Sequence, residues 1–334
     1  MLFILFIFFV YLPLESKDVY TGSFLNIPPA PYPTSLAESF AARVNADSVL
    51  YNPAGLGLLS YSSLSIAHNK YIEGLLQQYI NAVIDTPYGN FSAFYSVMKS
   101  GDIISYDESE NITGNTSISY SYYGFSYSKG FPYFDYARKK IDPMLITPSW
   151  SRIKPVGVYI PKVYRFSFGL TAKKLEERLD TEKRGINLFD GGVLLVLPGH
   201  FHIGASIQNV SSKSRFYQQY EKIPSTFRFG VAKDFSTIKQ IINFIFTADY
   251  VGVEGNKNYL SMASEIDILK AFQMRFGYST KDNPGFSRFV FGMGMTFDRF
   301  LTKESLVKGL RMDYAYLEHK YFGSTHRIGF QMIW

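Results

Sequence analysis

Through most of the chain, apolar and polar residues alternate one for one. At the close, Ser324, His326, Ile328, Phe330, Met332 and Trp334 share one face, and Thr325, Arg327, Gly329, Gln331 and Ile333 share the other. Upstream, Leu310, Met312, Tyr314 and Tyr316 stand opposite Arg311, Asp313 and Ala315, and Phe289, Phe291, Met293 and Met295 opposite Arg288, Gly292, Gly294 and Thr296. Phe272, Met274, Phe276 and Tyr278 oppose Gln273, Arg275 and Gly277; Tyr164, Phe166, Phe168 and Leu170 oppose Arg165, Ser167, Gly169 and Thr171. Period two over such lengths predicts strands with one apolar and one polar face. Strands of a soluble sandwich run about five or six residues, whereas a strand tilted across a bilayer needs about 9–11. The polar faces mix Gly, Ser and Thr with charges of both signs, which suits the wet interior of a barrel.

Fourteen such segments are legible, at 61–68, 77–84, 88–98, 116–129, 163–175, 186–197, 200–208, 225–234, 241–250, 258–268, 270–279, 287–298, 308–317 and 322–334. An even number closes an antiparallel barrel with both ends on one side. The expected fold is therefore all-β: a fourteen-stranded antiparallel transmembrane barrel over 61–334. Parity puts the connections at 99–115, 176–185, 209–224, 251–257, 280–286 and 318–321 outside, and the tight turns at 196–200 and 267–272 on the periplasmic side. A long segment at 130–162 interrupts the pattern; parity assigns it to the periplasmic side, and a miscounted strand would move it outside.

Residues 17–60 do not alternate. Prolines are expected to extend 28–33, residues 35–48 suit a short helical turn, and 50–60 end in a Gly-punctuated turn. A polar lumen offers this segment a place as a plug; a loosely attached periplasmic segment is the other placement. At Asn52–Pro53–Ala54–Gly55–Leu56 a rigid turn against the lumen wall is expected, serving as a latch or simply directing the chain into the first strand. Before it, the apolar run from Leu2 to Leu12 is too short to span a bilayer. It matches the core of a secretory signal over 1–16, although no Lys or Arg precedes it; a buried first helix is the alternative.

Composition narrows the function. The 334 residues are 17% aromatic and 19% charged, aromatic-rich and charge-poor for a soluble protein. There is no cysteine, hence neither disulfide framework nor lipidation site. The net charge of +6 is dispersed, and no basic cluster interleaved with aromatics points to nucleic acid. No nucleophile-and-base grouping is visible, so an enzyme is not expected and no cofactor is called for. His200 and His202 share a strand face, but two ligands beside a turn do not make a metal site, and the acids at 176–182 are interleaved with Arg178, Lys183 and Arg184. The charges that alternation turns inward are Arg165, Asp190, Arg228, Glu265, Asp267, Arg275, Arg288, Arg311, Asp313 and Arg327. They require water, or pairing with one another and with Glu38, Arg43 and Asp47 of the plug. The last strand, with Phe330, Met332 and Trp334 toward lipid, is expected to direct closure by the barrel-assembly machinery.

The stretch "DSVLYNPAGLGLLSYSSLSIAHN", followed by "SFGLTAKKLEERLDT", "FHIGASIQNV", "IPSTFRFGVAKDF" and "DYAYLEHKYFGSTHRIGFQMIW", resembles the PorV/PorQ family of FadL-like outer-membrane barrels. The resemblance covers most of 22–334 and implies a fourteen-stranded barrel with an N-terminal hatch in the bacterial outer membrane. It also implies a non-enzymatic role: either shuttling an exported protein, as in type IX secretion, or moving a hydrophobic small molecule. The segment 130–162 departs from the family pattern.

Overall fold

A computed structural model describes residues 19–20, 22–71, 74–101, 103–106, 112–132, 165–179, 182–211, 214–216, 219–236, 241–282, 285–297 and 306–334. The expected signal at 1–16 and most of the insertion at 130–162 lie outside these residues.

Fourteen strands form one closed barrel. They are β1 (Ser63–Lys70), β2 (Leu76–Thr86), β3 (Gly89–Lys99), β4 (Ile118–Pro132), β5 (Arg165–Leu179), β6 (Glu182–Leu197) and β7 (Phe201–Val210). Then come β8 (Thr226–Ser236), β9 (Ile242–Val253), β10 (Tyr259–Ile268), β11 (Phe272–Ser279), β12 (Phe286–Thr296), β13 (Gly309–His319) and β14 (Gly323–Ile333). Each pairs antiparallel with its chain neighbour, and β14 closes on β1 with Phe330 opposite Ile66 and Ile333 opposite Ser63. Trp334 extends the seam by exchanging backbone hydrogen bonds with Ser62. Closure leaves no barrel edge, the condition for β-structure in hydrocarbon.

The alternation sorts as its chemistry requires. Phe272, Met274, Phe291, Met293 and Phe330 are exposed on the outside. Ser96, Ser128, Ser167, Thr171, Asn81 and Gln77 are buried inside.

Connections at 87–88, 198–200 and 269–271 are tight and lie on the rim that carries Trp334. At the insertion, Pro132 pairs with Arg165, so it leaves and re-enters at the Trp334 rim, the side parity assigned to it. At the opposite, outer rim, Ile103–Tyr106 pairs with Ile112–Thr116 inside what the sequence suggested was plain loop. A second small sheet there orders Val19–Tyr20, Gln219–Lys222 and Ser214–Phe216, the first pair parallel.

Candidate functional site: the barrel lumen

Residues 22–60 pack against the inward face of the wall. From the outer-rim sheet the segment enters beside β4, where Phe24 stacks on Tyr120 with ring centroids 5.7 Å apart. The carbonyl of Pro29 accepts from Asn69 Nδ2 at 2.7 Å and that of Pro28 from Arg327 Nε at 3.3 Å. The prolines do not keep the chain extended throughout, because Pro31–Ser35 turns helical. A proline in the first turn loses no hydrogen bond and its fixed φ already suits a helix. The helical turn expected across 35–48 is instead split between this element and the 3-10 turn Ala46–Leu50, with Ala37 and Glu38 between them at φ of 50° and 62°.

Tyr32 is the centre of the charged region. The guanidinium carbons of Arg275 and Arg311 lie 4.4 and 4.0 Å from its ring centroid, and its hydroxyl accepts from Arg43 Nη2 at 2.8 Å. Stacked cations are drawn to the ring's negative faces. The arginines are neutralised within the wall: Arg275 Nε donates to Glu265 at 2.5 Å, and Arg311 Nε lies 2.8 Å from Asp313. Arg275 Nη1 is 2.7 Å from Asp313 Oδ1 without hydrogen-bond alignment, so that contact is mainly Coulombic. Arg43 crosses from segment to wall, 3.3 Å from Asp234, and Glu38 crosses to Arg228 and Lys281 at 3.6 and 3.7 Å.

Backbone anchoring is as extensive. Asp249 accepts the amides of Phe40 and Ala41 at 2.8 Å each. Asp47 accepts from the Tyr79 hydroxyl at 3.3 Å; burial, with the nearby Asp313 charge adding to it, pushes the Asp47 carboxyl up to about 7.

Asn52 is fully buried. Its Nδ2 donates to Ala41 O at 2.7 Å and Val193 O at 3.0 Å, while Oδ1 accepts the Ala54 amide at 3.1 Å and so caps the 3-10 turn Pro53–Leu58. Pro53 starts that turn, and the Ala54 carbonyl accepts from Ser167 at 2.6 Å. A Cβ on Gly55 would strike the Arg43 carbonyl, and Leu56 is fully buried. The wall opposite is cut to fit: a Cβ on Gly192 would overlap the Asn52 amide, and one on Gly204 the Ala41 carbonyl. Asn90 completes the path by donating to Leu56 O and Leu59 O just before β1.

Of the charges the alternation turned inward, Asp190, Arg228, Glu265, Arg275, Asp313 and Arg327 are buried in the lumen, with Arg311 slightly less so. Asp190 pairs with Lys173 at 2.7 Å. Asp267 accepts from Asn243 and Gln273. Arg165 and Arg288 are exposed at opposite rims instead of packed inside, because each sits at the outermost turn of its strand. Sequence reasoning missed Tyr32, Tyr79 and Asp249; the long spacing between segment and wall residues hid their pairing. His202 holds the Ala42 carbonyl at 3.2 Å, and Glu176 pairs with Lys174 and Lys183, so both serve the framework. Among the described residues no group of three candidate metal ligands occurs.

Two spaces between segment and wall are small. One, bounded by Glu38, Tyr51, Lys173, Gln208 and Arg228, holds about 40 Å³; another, beside Tyr32 and Tyr79, about 10 Å³. A single water needs roughly 10–15 Å³ of such volume, so these spaces suit water molecules.

Among the described residues no helix is long and apolar enough to cross a membrane. A closed antiparallel barrel, apolar outside and polar within, is a membrane-spanning barrel of the bacterial outer-membrane kind. No family model and no curated protein sequence matches the chain. Among solved structures it is similar to the CymD monoaromatic hydrocarbon channel, with 11% identity, a TM-score of 0.51, and 91% of this chain and 96% of that one covered. It is also similar to a Pseudomonas aeruginosa FadL homologue, with 8% identity, a TM-score of 0.46, and 92% and 98% covered. The fold is thus shared with the CymD channel.

Proposed function

We propose that the protein is a non-enzymatic outer-membrane barrel of PorV/PorQ type, whose lumen segment acts as a hatch and whose outer loops bind an exported protein. The observation that carries this reading is the filled lumen. Residues 22–60 reach from the outer rim to the start of β1 through ion pairs and hydrogen bonds with the wall, and the spaces beside them are water-sized. Such a shell suits a protein that works at its mouths. The second reading, a FadL-like transporter of hydrophobic compounds, is favoured by the fold shared with CymD.

Two measurements, one on reconstituted protein and one in cells, separate them. Flux of a labelled monoaromatic solute into proteoliposomes is expected to equal that of protein-free vesicles, while a photo-crosslinker in the loop at 211–225 captures exported polypeptide in cells. Flux that scales with protein, with no polypeptide captured, overturns the first reading in favour of the second.

A further inference from the structure

The outward face differs around the circumference. On β11 and β12, four successive outward positions are apolar: Phe272, Met274, Phe276 and Tyr278, and Met295, Met293, Phe291 and Phe289. On β1 only Leu64 and Ile66 precede His68 and Lys70, both outward and exposed. Polar side chains recur on the neighbouring strands, interrupted by Ile328 opposite His68, Val97 opposite Gln78 and Leu76 opposite Lys70. Gln78 on β2 stands opposite His68, His326 on β14 opposite Lys70, and Lys99 on β3 opposite the outward Leu76.

His326 is held rather than free to turn away. Its Nδ1 is 2.7 Å from the Tyr314 hydroxyl and its Nε2 2.9 Å from Ser324 Oγ.

An apolar belt on a barrel is about 25 Å tall, and residues two apart on a strand are about 6.8 Å apart before tilt is counted. Two apolar positions on β1 therefore cannot cover the belt that four cover on β11. His68 and Gln78 form a polar pair between the apolar Ile66–Ile80 pair and the Lys70–Leu76 pair. Polar groups there need an acceptor-rich partner, since leaving them unpaired in hydrocarbon is costly. The neighbouring charges are Lys70 and Lys99, with Glu318 one position higher, opposite Ser324 on the side nearer water. We propose that the outer-rim face of β14, β1, β2 and β3 binds the phosphate of an anionic lipid in the surrounding leaflet. Lys70 and Lys99 supply the charge, and His68 and Gln78 donate from below.

The test uses the full chain in phosphatidylcholine nanodiscs doped with phosphatidylglycerol, with retained lipids counted by native mass spectrometry. Wild type is expected to keep phosphatidylglycerol preferentially. Lys70→Gln with Lys99→Gln should lower that preference about thirtyfold, from roughly fivefold per lysine. Lys233→Gln, an outward lysine at the other rim, should leave it unchanged. No preference in wild type, or equal loss from the Lys233 variant, overturns the proposal. Should the double variant not assemble, salt decides on the wild type: near 1 M, where screening reaches about 3 Å, phosphatidylglycerol must be released and phosphatidylcholine retained. Persistence of the anionic lipid there, or equal release by inorganic phosphate at low salt, also overturns it.

Discussion

Asn52→Ala removes three hydrogen bonds at once from a fully buried site: two from Nδ2, at 2.7 and 3.0 Å, and one to Oδ1, at 3.1 Å. At roughly 0.5–1.5 kcal/mol net for each bond, the loss lies between about 1.5 and 4.5 kcal/mol. Water entering the vacated space restores part of it, which sets the expectation near 2 kcal/mol, about a thirtyfold rise in the population of the opened turn. None of the three bonds belongs to the barrel ladder, so the closed barrel persists. Hydrogen exchange on protein in lipid vesicles reads this directly: peptides covering 50–57 should exchange about thirtyfold faster, while those from β11 and β12 stay protected and the heat-modifiable gel shift is unchanged. Exchange at 50–57 within twofold of wild type, beside a normal barrel, would refute the idea that Asn52 latches the segment. Combining the change with Pro53→Gly should also raise single-channel conductance.

Deleting 330–334 takes away the pairing of Phe330 through Ile333 with Ser63–Ile66 and the Trp334–Ser62 bonds; loss of the heat-modifiable form on gels is expected, since an open seam leaves backbone groups unpaired in lipid. Phe291→Arg places a cation on a half-exposed outward position and should cost about 2–4 kcal/mol in bilayer refolding if near the midplane, whereas Thr296→Arg faces the lumen rim and should be tolerated; equal costs would show the register to be wrong. For Asp47, a folded pKa of about 7 against 3.8 means the folded protein holds a proton that the unfolded chain has released. Stability should therefore fall as pH rises from about 4 to about 7 and level off above. Urea midpoints across that range should show the slope in wild type and lose Asp47's share of it in Asp47→Asn.

The strands were legible because lipid and lumen impose opposite demands on successive residues, and each barrel strand overlaps a segment read from alternation, with ends shifted by a few residues. The same alternation named the inward charges, yet it gave no hint of which would meet. Arg275 and Arg311 converge on Tyr32 across more than two hundred residues of chain, a distance no local pattern encodes. Arg165 and Arg288 carried the inward parity but stand at strand ends, where parity no longer implies burial. Prolines at 31 and 33 read as extended because helix-starting proline is recognised only once the helix is known. The polar step on β1 escaped notice because it emerges only when neighbouring strands are laid side by side.

Residues 22–60 wind back and forth inside the wall, Ala42 meeting His202 near one rim and Leu50 meeting Gln208 near the other, before the chain passes into β1, on which β14 closes. The closed wall surrounds this thread. Sealing the β14–β1 seam encloses the thread, and afterwards no sideways slit lets it leave; it has only the axial route, like a piston in a sleeve. A cross-link across that seam would then leave the axial stroke untouched, whereas one from Tyr51 to Ser206, whose hydroxyl holds the Tyr51 carbonyl, would stop it without altering the sleeve.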